Sequence, residues 1–326
     1  MLDRRTFLLA AAGALALPRF ARAQQPGRTY RLCWLSSVAP RTESYNVALV
    51  QRLHELGFVE GRNLAIEFRS AEGVVERLPA LGADLARQNC DVTFAPGTEA
   101  NLVAVKQASR DTPIVLVATD YDPVATGHVA GLARPGGRIT GVSHLQSELP
   151  AKRLALLKEL LPDARRIAVL ADTTSTGQLV VTRDAAKRLG VALEVHEFRK
   201  APYDYEAAFA ALARAKPDAL LGLASGLFVP GRRKIPELAL RYRLPSMFNN
   251  YLWAESGGLL SYGANFSVSY RRAAEQIAMV LNGANPAAIP MEQATAIELV
   301  INLRTAKALG VAVPPSMFAR ADRVIE

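Results

Sequence analysis

The sequence predicts an α/β protein of two doubly wound lobes, each a parallel sheet with helices on both faces. Three observations carry that prediction. Short apolar runs alternate with longer amphipathic runs of helical period from Arg31 onward. The same rhythm restarts at Arg166. Each series is about 120 residues long, the size of one domain, and the two meet near Gly141–Glu148.

The first series opens with the buried strand Arg31–Ser36, marked by its Leu-Cys-Trp-Leu run. Asn46–Leu56 has helical spacing and stops at Gly57, a residue suited to a helix C-terminus. Asn63–Arg69 alternates as a strand through Leu64, Ile66 and Phe68. Leu78–Gln88 and Ala100–Ser109 read as helices, and Asp91–Ala95, Pro113–Ala118 and Ile139–Val142 as strands. The last of these follows the Pro135-Gly136-Gly137 turn. In the second series Arg166–Ala171, Ala192–Phe198, Asp218–Leu223, Pro245–Asn249 and Gly258–Tyr262 are strands. The helices between and after them are Gly177–Leu189, Tyr203–Ala215, Arg232–Arg241 and Tyr270–Leu281. A Pro-containing stretch, Asn285–Pro290, leads to the apolar run Ala296–Ile301 and a short helix, Leu303–Leu309.

Composition agrees with a chain that buries substantial cores. Of 326 residues, 50% are hydrophobic and 21% charged, which excludes intrinsic disorder and collagen-like repeats. Two cysteines make neither a disulfide framework nor a four-ligand zinc site. The first 23 residues have the form of an export signal. Arg4 and Arg5 are the positive region, Phe7–Leu17 the apolar core, and Ala21-Arg22-Ala23 the cleavage site. Arg4-Arg5-Thr6-Phe7-Leu8 also resembles a twin-arginine signal, with Asp3 in place of the usual Ser or Thr, so both export routes stay open. No cysteine follows the apolar core to carry a lipid. The expectation is a mature protein free in the periplasm. Loss of the leader removes four arginines and Asp3, taking the formal charge from +9 to +6. The remaining basic residues are scattered. Even the densest group, Arg232-Arg233-Lys234, reads as a solvated helix face, and no nucleic-acid stripe is present.

In open parallel sheets, ligands sit beyond the carboxyl ends of the strands. Those positions are Ser36 and Ser37, Gly97 and Thr98, Thr119 and Asp120, then Asp172, Thr173 and Thr174, Ser225, and Asn249 and Asn250. Small and hydroxyl residues there supply N–H and O–H groups for a carboxylate, and the acids suit an ammonium. The same residue types are ordinary helix caps, and the two readings weigh equally at any one position. Their recurrence in both series favours a cleft. Phosphate-loop, nucleophile-elbow, dinucleotide and zinc-protease motifs are absent. Of the four histidines only His144 falls where a cleft could border it, and no metal-ligand spacing occurs. Asp120 and Asp122 could act as acid and base, but no nucleophile or metal set accompanies them. Cys33 reads as core and Cys90 as the start of a strand. Their positions are offset, so they are expected to be unlinked.

Four stretches carry a resemblance to a known family. They are Leu56–Asn63, Ala133–Gly137 with Thr140-Gly141, Gly257–Gly263, and Glu298–Gly310 followed by Ala319–Asp322. Together they resemble the solute-binding components of ABC importers of the tryptophan/tyrosine type. The resemblance implies a type I periplasmic binding-protein fold, with two Rossmann-like lobes, three hinge crossings and a ligand trapped between them. It places lobe one at 28–143 plus about 266–293 and lobe two at 144–265 plus about 296–326. It implies a monomer with no cofactor and no enzymatic activity, serving a membrane permease and ATPase. Where relatives often have Asn-Pro after the first strand of lobe two, this chain has Asp172-Thr173. The expected ligand is a small carboxylate-bearing metabolite such as an aromatic or branched amino acid. Thr98 and helix N-termini would hold its carboxylate, and Asp120 or Asp172 its ammonium. Tyr45, Tyr121, Phe248 or Tyr251 would stack on its side chain. The alternatives are an exported α/β enzyme using Asp120 and Asp122, and a periplasmic sensor subunit.

Overall fold

The computed structural model describes residues 27–38, 40–119, 121–144, 149–200 and 202–326. The leader at 1–23 and Asp120 lie outside the described residues. With elements numbered along the chain, the first sheet contains β1 (Tyr30–Ser36), β2 (Leu64–Ser70), β3 (Val92–Gly97), β4 (Ile114–Thr119), β5 (Ile139–His144) and β11 (Glu292–Gln293). Its order is β2-β1-β3-β4-β5-β11, parallel throughout. One face is covered by α1 (Ser44–Glu55) and α9 (Phe266–Leu281). Leu49, Leu53, Tyr270, Ala273 and Ile277 join Trp34, Phe94 and Val117 in one core. The other face is covered by α2 (Leu78–Ala86) and α3 (Glu99–Ala108), where Leu85, Leu102 and Val105 meet Leu35 and Leu116. Each large apolar side chain fully removed from water contributes about 1.5–3 kcal/mol, which makes these faces the main source of stability.

The second sheet contains β6 (Arg166–Asp172), β7 (Ala192–Phe198), β8 (Ala219–Gly222), β9 (Ser246–Phe248), β10 (Leu260–Ala264), β12 (Ile297–Asn302) and β13 (Arg323–Ile325). Its order is β7-β6-β8-β9-β10-β12-β13. Strand β12 runs antiparallel to β10, a departure from the all-parallel expectation. The cause is connectivity: the chain enters β12 directly from β11 in the other sheet, with no covering helix to reverse its direction. Helices α5 (Thr176–Leu189), α6 (Tyr205–Arg214) and α7 (Lys234–Arg241) and the short α8 (Tyr251–Glu255), α10 (Leu303–Leu309) and α11 (Pro315–Phe318) complete this half.

One helix, α4 (Leu149–Leu160), was not legible as an amphipathic run. Leu154, Leu156, Leu157 and Leu160 are all buried, and so is Arg153, which donates from Nε to the Tyr262 carbonyl at 2.7 Å. A helix buried on several sides shows no clean polar stripe.

The chain passes between the sheets three times: from β5 to α4, from β10 to α9, and from β11 to β12. Two of the crossing strands carry glycines where a neighbouring backbone approaches closely. A Cβ on Gly141 would lie 2.1 Å from the Leu116 carbonyl oxygen, and one on Gly263 would lie 1.8 Å from that of Asn249. No helix among the described residues is long and apolar enough to cross a membrane.

The expectation of unlinked cysteines is overturned: Cys33 and Cys90 form a disulfide, with Cα atoms 5.7 Å apart. Cys90 does not begin a strand. It lies in the turn between α2 and β3, where Asn89 takes a left-handed φ of 51° and brings the chain back over β1. The offset counted along strand positions therefore does not apply. Closing a loop of this length typically contributes about 2–4 kcal/mol. Replacing both cysteines by alanine should lower the unfolding free energy in denaturant by that amount relative to the oxidised protein. An unchanged midpoint and slope would contradict the link.

Candidate ligand cleft

The carboxyl ends of both sheets face one another, and the sequence-selected positions fall on the two sides. On the first, Ser36 ends β1 and is 5% exposed, and its carbonyl accepts from the Ala71 N–H at 2.9 Å. Gly97 has a φ of 111°, and the Ser37 hydroxyl sits 3.2 Å from where its Cβ would be. Thr98 stands at the N-cap of α3 without capping it. Its hydroxyl instead donates to Asn101 Oδ1 at 3.4 Å, while Asn101 Nδ2 donates to the Leu35 carbonyl at 3.1 Å. The first-turn N–H groups of α3 therefore receive no side-chain cap from Thr98, an arrangement suited to an anion.

On the second side Asp172 is 1% exposed and gathers five donors. Its Oδ1 accepts from the Thr174 N–H at 2.9 Å, the Thr174 hydroxyl at 2.7 Å and the Ser175 hydroxyl at 2.9 Å. Its Oδ2 accepts from the Ser225 hydroxyl and from the Tyr203 hydroxyl at 3.4 Å. No Lys, Arg or His among the described residues forms an ion pair with it. The network has a chemical consequence. Thr174 commits its only hydroxyl proton to Asp172, so it can offer a ligand only lone pairs, whereas Ser225 donates to Asp172 and already accepts from the Leu227 N–H at 3.0 Å and stands 3.3 Å from the Thr174 hydroxyl. This wall is an acceptor surface.

Several other candidates already make structural contacts. Asn250 Oδ1 caps α8 by accepting from the Leu252 N–H at 3.1 Å. Asn249 is 8% exposed, and Thr173 is exposed with its carbonyl accepting from Thr176 at 3.3 Å. Tyr45 packs edge-on against Phe266 and Tyr270 in the first core, and burial pushes its hydroxyl pKa far up. Phe248 is 2% exposed and stacked on Trp253 at 4.8 Å. The buried Tyr121 hydroxyl has no hydrogen-bond partner among the described residues, and burial raises its pKa. Only Tyr251 among the proposed stacking aromatics spans the halves, its hydroxyl lying 2.7 Å from that of Ser44. Asp122 is occupied as a turn cap, accepting from the Val124 N–H at 2.8 Å, which leaves little for acid–base chemistry.

Further contacts close the space between the lobes. A Cβ on Gly226 would come within 2.9 Å of Thr98 Cγ2, and one on Gly73 within 3.4 Å of Pro230. Arg232 grips Glu43 in a two-pronged ion pair at 2.9 and 3.1 Å, with both side chains about four-fifths buried. The expectation of a solvated Arg232 is thereby corrected: its guanidinium crosses to the other half. Beside these contacts lies a cavity of about 480 Å³ that includes Val74, Tyr203, Tyr205, Leu227 and Pro230. None of those residues was selected from sequence. A strand-end rule misses them because they sit in loops and a 3-10 turn beyond the first residues after each strand.

A model of the ABC transporter substrate-binding protein family matches residues 43–325. The chain belongs to that family. A tyrosine-binding protein of Clostridioides difficile (strain R20291) is 26% identical over 273 residues, covering 83% of this substrate-binding protein and 77% of the relative. The solved structure of an ABC domain in complex with L-Trp from Streptococcus pneumoniae has a TM-score of 0.80 at 23% identity, over 91% of this chain and 100% of that one. The ligand-free, open structure of a substrate-binding protein with adhesive properties from Clostridium difficile has a TM-score of 0.67 at 23% identity, over 91% and 99%. The fold is that of type I periplasmic binding proteins, and the family and relatives are substrate-binding proteins, not enzymes.

His144 gives the cleft region a pH dependence. It ends the crossing strand β5, is 1% exposed, stacks on Phe266 at 4.9 Å, and neither ring nitrogen has a hydrogen-bond partner among the described residues. Burial lowers its pKa from 6.5 to about 4, so the folded protein holds the neutral ring. Stability that is intact above pH 6.5 is then lost as pH falls toward 4, by roughly 3 kcal/mol at about 1.4 kcal/mol per pKa unit. In His144→Phe, unfolding free energies measured between pH 7 and pH 4 should fall less than wild type by about that amount. Parallel curves would contradict this.

Proposed function

We propose that this protein is the periplasmic solute-binding component of an ABC importer and captures a small amino acid by closing its lobes upon it. The observation that carries the reading is the opposed chemistry of the two walls. Uncapped N–H groups of α3 beside Thr98 suit a carboxylate, and the acceptor hydroxyl of the exposed Thr174 over the Asp172 carboxylate suits an ammonium. Asp120, outside the described residues, is a second candidate for the ammonium. Tyrosine and tryptophan in the names of related proteins support an amino acid as the ligand class.

Closure follows from a ligand that touches both walls, because it stabilises the closed arrangement by its differential affinity for that state. The cross-lobe contacts of Glu43 with Arg232 and of Thr98 with Gly226 support a closed arrangement. So does the higher TM-score to the L-Trp complex than to the ligand-free, open relative. The leader supports export, and the family supports delivery to a membrane permease and ATPase. A dissociation constant near micromolar, roughly −8 kcal/mol, would suit capture followed by release.

The test is calorimetric titration of the mature protein with a panel of amino acids and with the deaminated acid of the best binder. Removing the amine should cost about 10- to 100-fold in affinity, the worth of a hydrogen bond to a charged group. In Asp172→Asn that penalty should shrink. Equal affinity for the amino acid and its deaminated counterpart would overturn the ammonium assignment, and turnover of the bound compound would overturn the binding-protein reading. Gly226→Val should weaken binding of the same amino acid at least tenfold, since its side chain would meet Thr98 before the lobes close. Unchanged affinity would show that closure does not need that contact.

A further inference from the structure

The cavity of about 480 Å³ beside the acceptor wall has a composition that a neutral side chain does not call for. Its apolar lining comes from both halves, with Val74 on one side and Leu227 and Pro230 on the other. Tyr203 and Tyr205 form a corner in its wall, with ring centroids 6.2 Å apart and planes at 84°. Tyr203 is braced from behind by Phe198, stacked at 4.7 Å, and Tyr205 lies tightly over Gly231. At the rim stand two carboxylates, Glu72 and Glu76. Glu72 is paired with Arg77 at 2.6 Å, whereas Glu76 has no hydrogen-bond or ion-pair partner among the described residues.

No lysine or arginine lines this cavity. The neighbouring Lys234 is held by Glu206 at 2.8 Å and Glu237 at 3.3 Å. Behind the corner lies the buried Asp172, whose donors are all uncharged and one of which is the Tyr203 hydroxyl. Its field reaches both rings. Burial first, and this carboxylate second, push the hydroxyls of Tyr203 and Tyr205 up to about 12. Electron-rich ring faces, a buried anion without a counter-cation and an unpaired rim carboxylate all favour a positive charge. The apolar lining favours an aliphatic stem leading to it.

We propose that this cavity holds an aliphatic ammonium group at the far end of the ligand's side chain, so that the preferred substrates are amino acids with a cationic tip. This rests on the interlobe reading above and names the substrate class for that site. The stem lies along Leu227, Pro230 and Val74, and the charge sits in the Tyr203–Tyr205 corner facing Glu76.

The test compares lysine and ornithine with norleucine, a neutral side chain of similar length, by calorimetry on the mature protein. The cationic pair should bind at least about tenfold tighter than norleucine. Glu72→Gln combined with Glu76→Gln should erase much of that preference, bringing lysine affinity down toward that of norleucine. Norleucine or an aromatic amino acid binding as tightly as lysine would overturn the cationic tip and leave the amino-acid reading standing. Should no amino acid bind at all, that reading falls, and n-butylammonium against n-butanol tests the cavity alone. A thermal shift with the amine and none with the alcohol supports the cation site, and no shift with either overturns it.

Discussion

Among the described residues, three chain crossings, a few side-chain contacts and one shared stretch of apolar core fix one sheet relative to the other. Each lobe buries cores against its own sheet, and one core runs on across the crossings, where Tyr251, Leu252, Ala254 and Val300 of the second half join the first-sheet cluster. Packed cores resist deformation, so the lobe closure proposed above would have to be taken up at the crossings. Beside that shared core, local contacts join the lobes: the Glu43–Arg232 pair, the Ser44–Tyr251 hydrogen bond, and the approach of Gly226 to Thr98. A mostly buried ion pair gains its Coulomb energy only after both charges have been desolvated, so its net worth is small. On the proposed reading, a balance of that kind is what would let a ligand of ordinary affinity decide which arrangement is populated.

The polarity of the cleft is set from behind its walls. Asp172 touches no cation, yet it determines which way the protons of Thr174, Ser175, Ser225 and Tyr203 point. A neutral side chain at the same place would leave those hydroxyls free to donate or accept. With the carboxylate Thr174 is left to accept, while Ser225 and Ser175 already accept from the N–H groups of Leu227 and Asp172. On the other lobe Thr98 spends its proton on Asn101, and what remains for an incoming group is backbone N–H. One wall takes donors and the other takes acceptors, which suits a zwitterion.

Much of the fold was legible because buried parallel strands announce themselves as apolar runs. Ala192–Phe198 and Leu303–Leu309 match the expected limits, and most other elements lie within a few residues. The failures have particular causes. Helix α4 hides because burial on several sides erases its periodicity. The disulfide hides because Asn89 turns the chain through a left-handed conformation that spacing does not reveal. Of the site, Ser225 and Asp172 were found because strand ends are where cleft residues sit, but Asp172's commitment to hydroxyls is a three-dimensional fact. Tyr203 and Tyr205 were assigned to one helix starting at Tyr203. The helix starts at Tyr205, capped by Asp204 through the Ala207 N–H at 2.9 Å, and that shift frees Tyr203 to face the cavity. Arg232 was grouped with its charged neighbours, although its partner is 189 positions away.

Closure on a ligand is tested most directly by a distance between the lobes. Val180 on α5 and Met279 on α9 are exposed, one on each lobe, and accept spin labels through V180C and M279C. Pulsed dipolar spectroscopy without ligand should give a broad distance distribution. A saturating amino acid, chosen as the best binder in titration, should collapse it to one narrow distance. Identical distributions with and without the bound amino acid would contradict capture by lobe closure.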